Sequence, residues 1–392
     1  MTQGLPKTAD VVVIGGGIVG ASIAYHLTAR GCRDVLIVER ECVQGLGSTG
    51  RATGGVRAQF SHALDIQMSL HSIEFFKNFR ESIGVDPAYC PNGYLFLATE
   101  PSQVSSLREL VALQHRAGLK EVRWMSRREI AAKAPFLFTD DVLGGSYCSL
   151  DGFIEPLNLL QGFMQKAVEQ GARLHLETEV TGLHIQKGQI VGVETNRGTI
   201  ATRQVVNAAG AWAKRVAAFA GIELPVEPLR RHVAGTQPFS ALPDEAPMVI
   251  ELATSFHFRK DQQSGGVMLL WNDPEEPYGE NLSFSTLWLK KLLDLARRRV
   301  PIFSELQISP KRSWTGLYEV TPDRHPILGQ APTVKGFYLA NGFSGHGVMH
   351  SPATGRLLAE LITEGRAKTL DITPLALERF SSGRLIPETG VL

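Results

Sequence analysis

The chain has 392 residues, 43% hydrophobic and 20% charged, which excludes a disordered polymer and supplies a core for about two to three domains. Its 40 basic and 39 acidic residues leave a net charge of +1, which gives no support for a nucleic-acid partner or a polybasic membrane patch. Cys32, Cys42, Cys90 and Cys148 are scattered and form no CxxC pair, which argues against a disulfide framework and against a zinc or iron–sulfur site built from this chain alone.

The stretch Val11 to Gly20, VVVIGGGIVG, runs an apolar strand straight into a glycine turn and then a helix over 21–30. Val35 to Val38 is a second strand, ending at Glu39, 19 residues after Gly20. Each residue type has a reason. Gly15 permits the tight turn, Gly17 lets backbone approach a pyrophosphate, and Gly20 lets the helix pack against the sheet. The helix N-terminus points free N–H groups at the phosphates, with Ile18 counted among the cofactor-binding residues, and Glu39 accepts from ribose hydroxyls.

The segment 41–59 follows, rich in Gly, Ser and Thr. It reads as a cradle for a large polar ligand or as a plain connector. Ser48, Thr49, Arg51 and Thr53 supply donors, and Gly50, Gly54 and Gly55 allow close backbone approach. Helical spacing spans 64–83, a strand spans 92–98, and a helix over 102–118 ends at Gly118. Ser126 with Glu129 three residues on is a capping box, and Pro135 stops that helix. A helix over 157–171 follows. Further strands lie at 174–176, 179–185 and 190–195, the last two turned at Lys187-Gly188. QVVNAAG, 204–210, is a strand ending in small residues set for a ligand, and Trp212 begins a helix.

From 222 to 308 short alternating runs predict a mainly antiparallel sheet. The helix 285–299 carries an arginine cluster at its end, read as a solvated face or as a membrane or partner contact. TPDRHPILG, 321–329, reads as a proline-fixed loop. Then come a strand over 336–341, the glycines Gly342, Gly345 and Gly347, and a helix over 351–364. Residues 1–9 read as a frayed lead-in. No charged leader with a cleavable apolar core is evident and 11–19 is too short to span a bilayer, so the expectation is a cytoplasmic protein with no transmembrane segment.

GGGIVG with Glu39, STGRATGGVR, VVNAAGAW, W-x-G-x4-TPD-x2-P-x2-G and GFSGHGVMHSPATG, in that order, resemble the D-amino-acid-oxidase-like flavoenzymes. Within them the chain looks most like sarcosine oxidase β-subunits and related amino-acid dehydrogenases. The resemblance implies an α/β, two-domain protein. A Rossmann-like FAD-binding domain of the glutathione-reductase type would be assembled from 1–90, 151–220 and 321–392. An antiparallel-sheet substrate domain would come from 91–150 and 221–320. It implies FAD, with Arg40 near the adenine, Val180 offering backbone to it, and Ala208, Ala209, Gly210 and Trp212 on the phosphate side. Ser48, Thr49, Arg51, Ala52, Thr53, Gly54 and Gly55 would hold the middle of the cofactor. Gly342, Gly345, His346, Gly347 and Val348 would lie by the flavin ring. Arg51 stands where one subgroup carries a linking histidine, so FAD is expected to be noncovalent.

The activity implied is oxidation of the C–N bond of a small secondary amine or amino acid of the sarcosine, proline or glycine type. Oxygen or an electron carrier would take the electrons. Arg57 is the leading anchor for a substrate carboxylate, or else a surface or phosphate arginine. Arg259 is the second, and His257 replaces a Tyr common in relatives. His346 between glycines is the polar candidate near the flavin, with a structural role as the alternative. Gln59, His62 and Tyr318 are weaker candidates. Two other readings stand: a 2-hydroxy-acid dehydrogenase, and a flavin-bearing subunit of a hetero-oligomer with little activity alone.

Overall fold

The computed structural model describes residues 4–387. The ends of the outer segments, 1–3 and 388–392, lie outside the described residues. The architecture is a mixed α/β, two-domain fold built on two large sheets. The first has six strands in the order 327–330, 337–341, 205–207, 11–14, 35–38, 173–175. Its neighbours are parallel except for 327–330 against 337–341. Val11–Ile14 and Val35–Val38 are buried at every position, as strands covered on both faces must be.

The helix Ile18–Ala29 lies on this sheet and is itself nearly all buried. It packs against Gly347–Glu364 so closely that a Cβ at Gly355 would overlap Ser22, and the Ser22 hydroxyl donates to the Ser351 carbonyl at 2.7 Å. Gly20 serves the same packing, because a Cβ there would strike the Gly15 carbonyl.

The second sheet has eight strands in the order 314–320, 227–235, 267–271, 256–260, 248–251, 94–98, 144–148, 122–125. It is antiparallel but for one parallel pair, Met248–Glu251 against Tyr94–Ala98. The expected antiparallel sheet of the 222–308 region therefore continues into chain some 150 residues earlier. A three-stranded sheet covers 180–201, with its hairpin turned at Lys187 and Gly188, both at positive φ (49° and 72°).

Several local expectations change. The helix over 64–83 is two helices, Ala63–Lys77 and Phe79–Ile83, broken at Asn78. The lead-in docks rather than frays at Thr8, which bridges Ala201. Trp212 closes a 3-10 turn before the helix Ala213–Ala218. The loop read in TPDRHPILG contains the strand Ile327–Gln330. The last helix starts at Gly347, four residues earlier than its sequence pattern.

The helix Thr286–Arg299, N-capped by Ser285, is not a plain solvated face either. Arg299 is fully buried, donating to Glu251 at 2.5 Å and to both carboxylate oxygens of Asp141 at 2.7 and 2.9 Å. Leu287 on the same helix is exposed.

Candidate active site

One cavity of about 590 Å³ runs from the carboxyl edge of the six-stranded sheet to the face of the eight-stranded one. At its first end, the Gly15 turn meets Ala208 and the N-terminus of Ile18–Ala29 opens onto it with no acidic residue in its first turn. Thr49 reaches back from the loop, its hydroxyl accepting from the Ile18 N–H at 3.0 Å. Glu39 accepts from the Gly16 N–H at 2.8 Å, which points its carboxylate into the same end. Arg40 lies 3.7 Å over the Trp212 ring, and Val180 completes that wall. The order is an acid, an open helix N-terminus, then a long glycine-lined passage. This arrangement of the chain's own groups suits a dinucleotide.

At the far end Arg57 meets His346, and His257 shares the wall. Arg57 Nη2 stands 3.0 Å from His346 Nε2, and Nη1 donates to the Gln59 carbonyl at 2.7 Å. A guanidinium only donates, so His346 Nε2 accepts and the imidazole proton sits on Nδ1. Burial and then the Arg57 charge hold His346 well below the usual histidine range, which keeps it neutral. His257 is pushed down to about 4, chiefly by burial. Behind Arg57, the carboxylate of Asp151 accepts from the Ala58 N–H at 2.7 Å and from Gln59 at 2.8 Å, and burial raises it to about 7. The N-terminus of Gly347–Glu364 faces this end and favours negative charge there.

Of the residues read from sequence, four do not line the cavity besides two weaker candidates, and one of the four is Gly50, whose close approach is to the Gly45 carbonyl. Gly20 lies beneath it as a packing contact. Gly342 makes the turn after its strand, with φ at 73° and its N–H donating to Glu319 at 3.0 Å. Arg259 is the main correction. Its guanidinium donates to the Thr53 carbonyl at 2.5 Å and the Lys260 carbonyl at 2.9 Å, so it braces the loop from behind. The remaining site residues sit on the wall, though the side chains of Ser48 and Arg51 turn away to bond the carbonyls of Leu317 and Thr315. Of the weaker candidates Tyr318 lines the cavity, whereas Gln59 and His62 do not.

Of the wall residues that sequence reasoning missed, three bear on the chemistry of the site. Tyr94 is buried beside Gly55. Glu319, raised to about 7 by burial, is bonded to the backbone N–H of Gly342. Arg231 is the third. The signal for it was alternation in LRRHV: in a strand, adjacent arginines must face opposite ways. Arg230 turns outward to Glu276, with Nη2 2.8 Å from its carboxylate, which leaves Arg231 facing the cavity.

A glycine-lined end that suits a dinucleotide, joined to an end carrying arginines and histidines, suits a flavin-dependent oxidoreductase. The chain belongs to the DAO family of FAD-dependent oxidoreductases, whose family model matches residues 10–361. Among curated proteins it is similar to FAD-dependent oxidoreductase domain-containing protein 1 of Xenopus laevis. That match is 33% identical and covers 99% of this chain and 85% of the relative. It is also similar to the mitochondrial sarcosine dehydrogenase of Mus musculus at 28% identity, over 97% of this chain and 42% of that one. Among solved structures, the L-proline dehydrogenase of P. horikoshii superposes with a TM-score of 0.91 at 33% identity, covering 97% of this chain and 100% of that one. The glycine oxidase of Geobacillus kaustophilus gives 0.83 at 26% identity, covering 95% and 99%. FAD is the cofactor of the family, and the wall just described fits it.

Proposed function

We propose that the chain oxidises the C–N bond of a small secondary amine or amino acid of the sarcosine, proline or glycine type. The observation that carries this is electrostatic. The far end of the cavity presents the guanidinium groups of Arg57 and Arg231 beside two histidines held neutral. An ammonium entering that field is disfavoured and gives up its proton to solvent on the way in. The neutral amine keeps its nitrogen lone pair, which forms the C=N bond as a hydride leaves the adjacent carbon. Bound FAD supplies the two-electron acceptor. Loss of hydride from carbon and of a proton from nitrogen leaves an imine, which water hydrolyses after release.

In this reading the chain's own residues orient and exclude. Arg57 fixes the His346 tautomer, so its role shifts from carboxylate anchor to positioning. The start of Gly347–Glu364 stabilises negative charge at the reacting end. The proline and sarcosine dehydrogenase likenesses support the amine class. Oxygen or an electron carrier takes the electrons, and a cytoplasmic location is part of the proposal, although the mouse sarcosine dehydrogenase is mitochondrial. Among the described residues no helix is long and apolar enough to cross a membrane.

A likeness at 25% identity to the pyruvate dehydrogenase phosphatase regulatory subunit of mouse favours one second reading, a flavin-bearing subunit that needs a partner. Anaerobic addition of N-methyl and cyclic amino acids to the FAD-loaded chain tests the first. Bleaching of the flavin absorbance by one of them is the expected result. Bleaching by a 2-hydroxy acid and by no amine would sink the amine reading.

A further inference from the structure

We infer that Arg231 anchors a carboxylate of the substrate, and that the aliphatic row beside it selects amino acids with an apolar body over glycine and sarcosine. The inference rests on the amine reading and names the substrate class within it.

Arg231 lies on the strand Glu227–Gly235, where it pairs with Gly316. Its guanidinium faces the cavity 5.4 Å over the Tyr318 ring. Among the described residues it has no carboxylate within ion-pair distance, and its Nε is covered with no hydrogen-bond partner. Burial is the leading cause that lowers its pKa, against which Tyr318, Glu276 and Tyr278 act only at a distance. A shielded cation with an unused donor is costly on its own and is relieved by an anion of matching geometry. A carboxylate matches the guanidinium fork with two parallel hydrogen bonds. Arg57 is a poorer anchor, because one of its nitrogens is committed to His346 and another to the Gln59 carbonyl.

Strand register then sets what lies next to that carboxylate. Val233 is two residues along from Arg231 and shares its face. Ala234 pairs with Leu269, and continuing that register brings Val233 beside Leu270. Leu270 pairs with His257, and His257 pairs with Ile250. Val233, Leu270, His257 and Ile250 thus form one row across four strands, all four on the cavity wall, with Met248 two residues from Ile250. The row is aliphatic except for one histidine kept neutral by burial. A ligand held at Arg231 lays its carbon body on this row. Glycine and sarcosine leave it uncovered, whereas a cyclic or branched amino acid fills it.

The test uses FAD-loaded protein and three compounds without an oxidisable amine: cyclopentanecarboxylate, its neutral carboxamide, and acetate. Binding is read from perturbation of the flavin spectrum. The ring acid is expected to bind about 100-fold more tightly than the carboxamide, because a charge-assisted pair in a shielded site is lost. It should also bind about 100-fold more tightly than acetate, from the methylenes laid on the row. Arg231→Gln should erase the preference for acid over amide, and Arg231→Lys should weaken the acid by about tenfold through loss of the fork.

A variant with full FAD content that binds the ring acid within about threefold of the parent overturns the anchor. Should the Gln variant not fold, the Lys variant decides by the same criterion. Equal binding of acetate and the ring acid overturns the apolar class. The two readings fail separately. If no amine bleaches the flavin yet the Arg231-dependent preference stands, the amine reading falls and the anchor remains. If amines bleach it and Arg231→Gln changes no binding constant, the anchor alone falls.

Discussion

Two glycines on the cavity wall, Gly15 and Gly210, give a paired prediction about how the FAD end is held. Both have positive φ, 111° and 54°. They differ in what surrounds them. A Cβ on Gly15 would collide with the Ala208 carbonyl oxygen and come within 2.9 Å of its carbon, whereas one on Gly210 meets nothing within 4 Å. Gly210→Ala therefore costs only the left-handed backbone, about 1–2 kcal/mol. Gly15→Ala carries that cost and about 1–3 kcal/mol more for overpacking against backbone. Relief requires the first turn to move away from 208–210, and both segments line the cofactor cavity. The strain therefore appears in FAD affinity: a total of about 2–5 kcal/mol is roughly 30- to 5,000-fold in Kd, against roughly 5- to 30-fold for Gly210→Ala. Titrating apoprotein with FAD and following quenching of FAD fluorescence measures both, with thermal melts of the apoproteins alongside. Equal FAD affinities for the two variants would refute the reasoning. So would a Gly15→Ala protein that melts low yet binds FAD like the parent, since the strain would then reside in the fold and not at the site.

FAD is expected to come free on denaturation. None of the four cysteines lines the cavity, and the loop beside it carries Arg51 and no histidine between 41 and 59. Acid precipitation should leave the yellow colour in the supernatant, and a yellow pellet would contradict this. The buried histidines make stability fall on mild acidification. His257 is neutral when folded, pushed down to about 4, whereas in the unfolded chain it titrates near its ordinary ~6.5. The unfolded state binds more protons between those values, so stability is lost as pH drops through ~6.5 and the loss levels off below about 4. From pH 7 to pH 5 this amounts to about 2 kcal/mol for one such group. The buried carboxylates of Asp151 and Glu319, raised to about 7, act with the opposite sign, being stabilising below their unfolded values and lost as pH rises towards 7. The readout is therefore a difference: His257→Phe should shrink the pH 7-to-5 stability loss by about 2 kcal/mol in urea melts. An unchanged pH dependence would show that His257 is not held neutral.

What the sequence disclosed was mainly what neighbouring residues decide. The Val11–Ile14 strand, the glycine turn, Glu39, the Ser126–Glu129 capping box and the Lys187–Gly188 hairpin are all set by residues within a few positions of one another. The features it hid depend on partners far along the chain. Ile327–Gln330 follows a proline and reads as loop, and it is a strand because Phe337–Asn341 offers it an edge. Met248–Glu251 pairs in parallel with Tyr94–Ala98, a contact no local pattern encodes. Arg299 ends a basic helix and reads as solvated, yet Glu251 and Asp141 draw it fully inside. Arg231 and Arg259 are both arginines in strands of the same sheet. Only the third dimension tells that one faces the cavity and the other braces a loop.

The loop 48–55 shows most clearly why its residue types were legible and their use was not. Its Ser, Thr and Arg side chains suggested direct donors to a cofactor. In the fold, Ser48 donates to Leu317, Arg51 donates to Thr315, and Arg51's carbonyl accepts from Trp314, so the loop is laced to the strand Trp314–Val320. Arg259 grips its Thr53 carbonyl from the other side, and Thr49 accepts from the Ile18 N–H at the start of the first helix. The polar side chains fix the loop, and the fixed loop presents backbone and glycine faces to the cavity. Holding a large cofactor through pre-set backbone avoids ordering many side chains at the moment of binding. It also makes the loop a mechanical joint: the same residues that shape the FAD end are bonded to the sheet carrying Arg231, Tyr318 and His257. The spacing between the glycine-lined end of the cavity and the wall that carries Arg231 is thereby set by bonds within the chain.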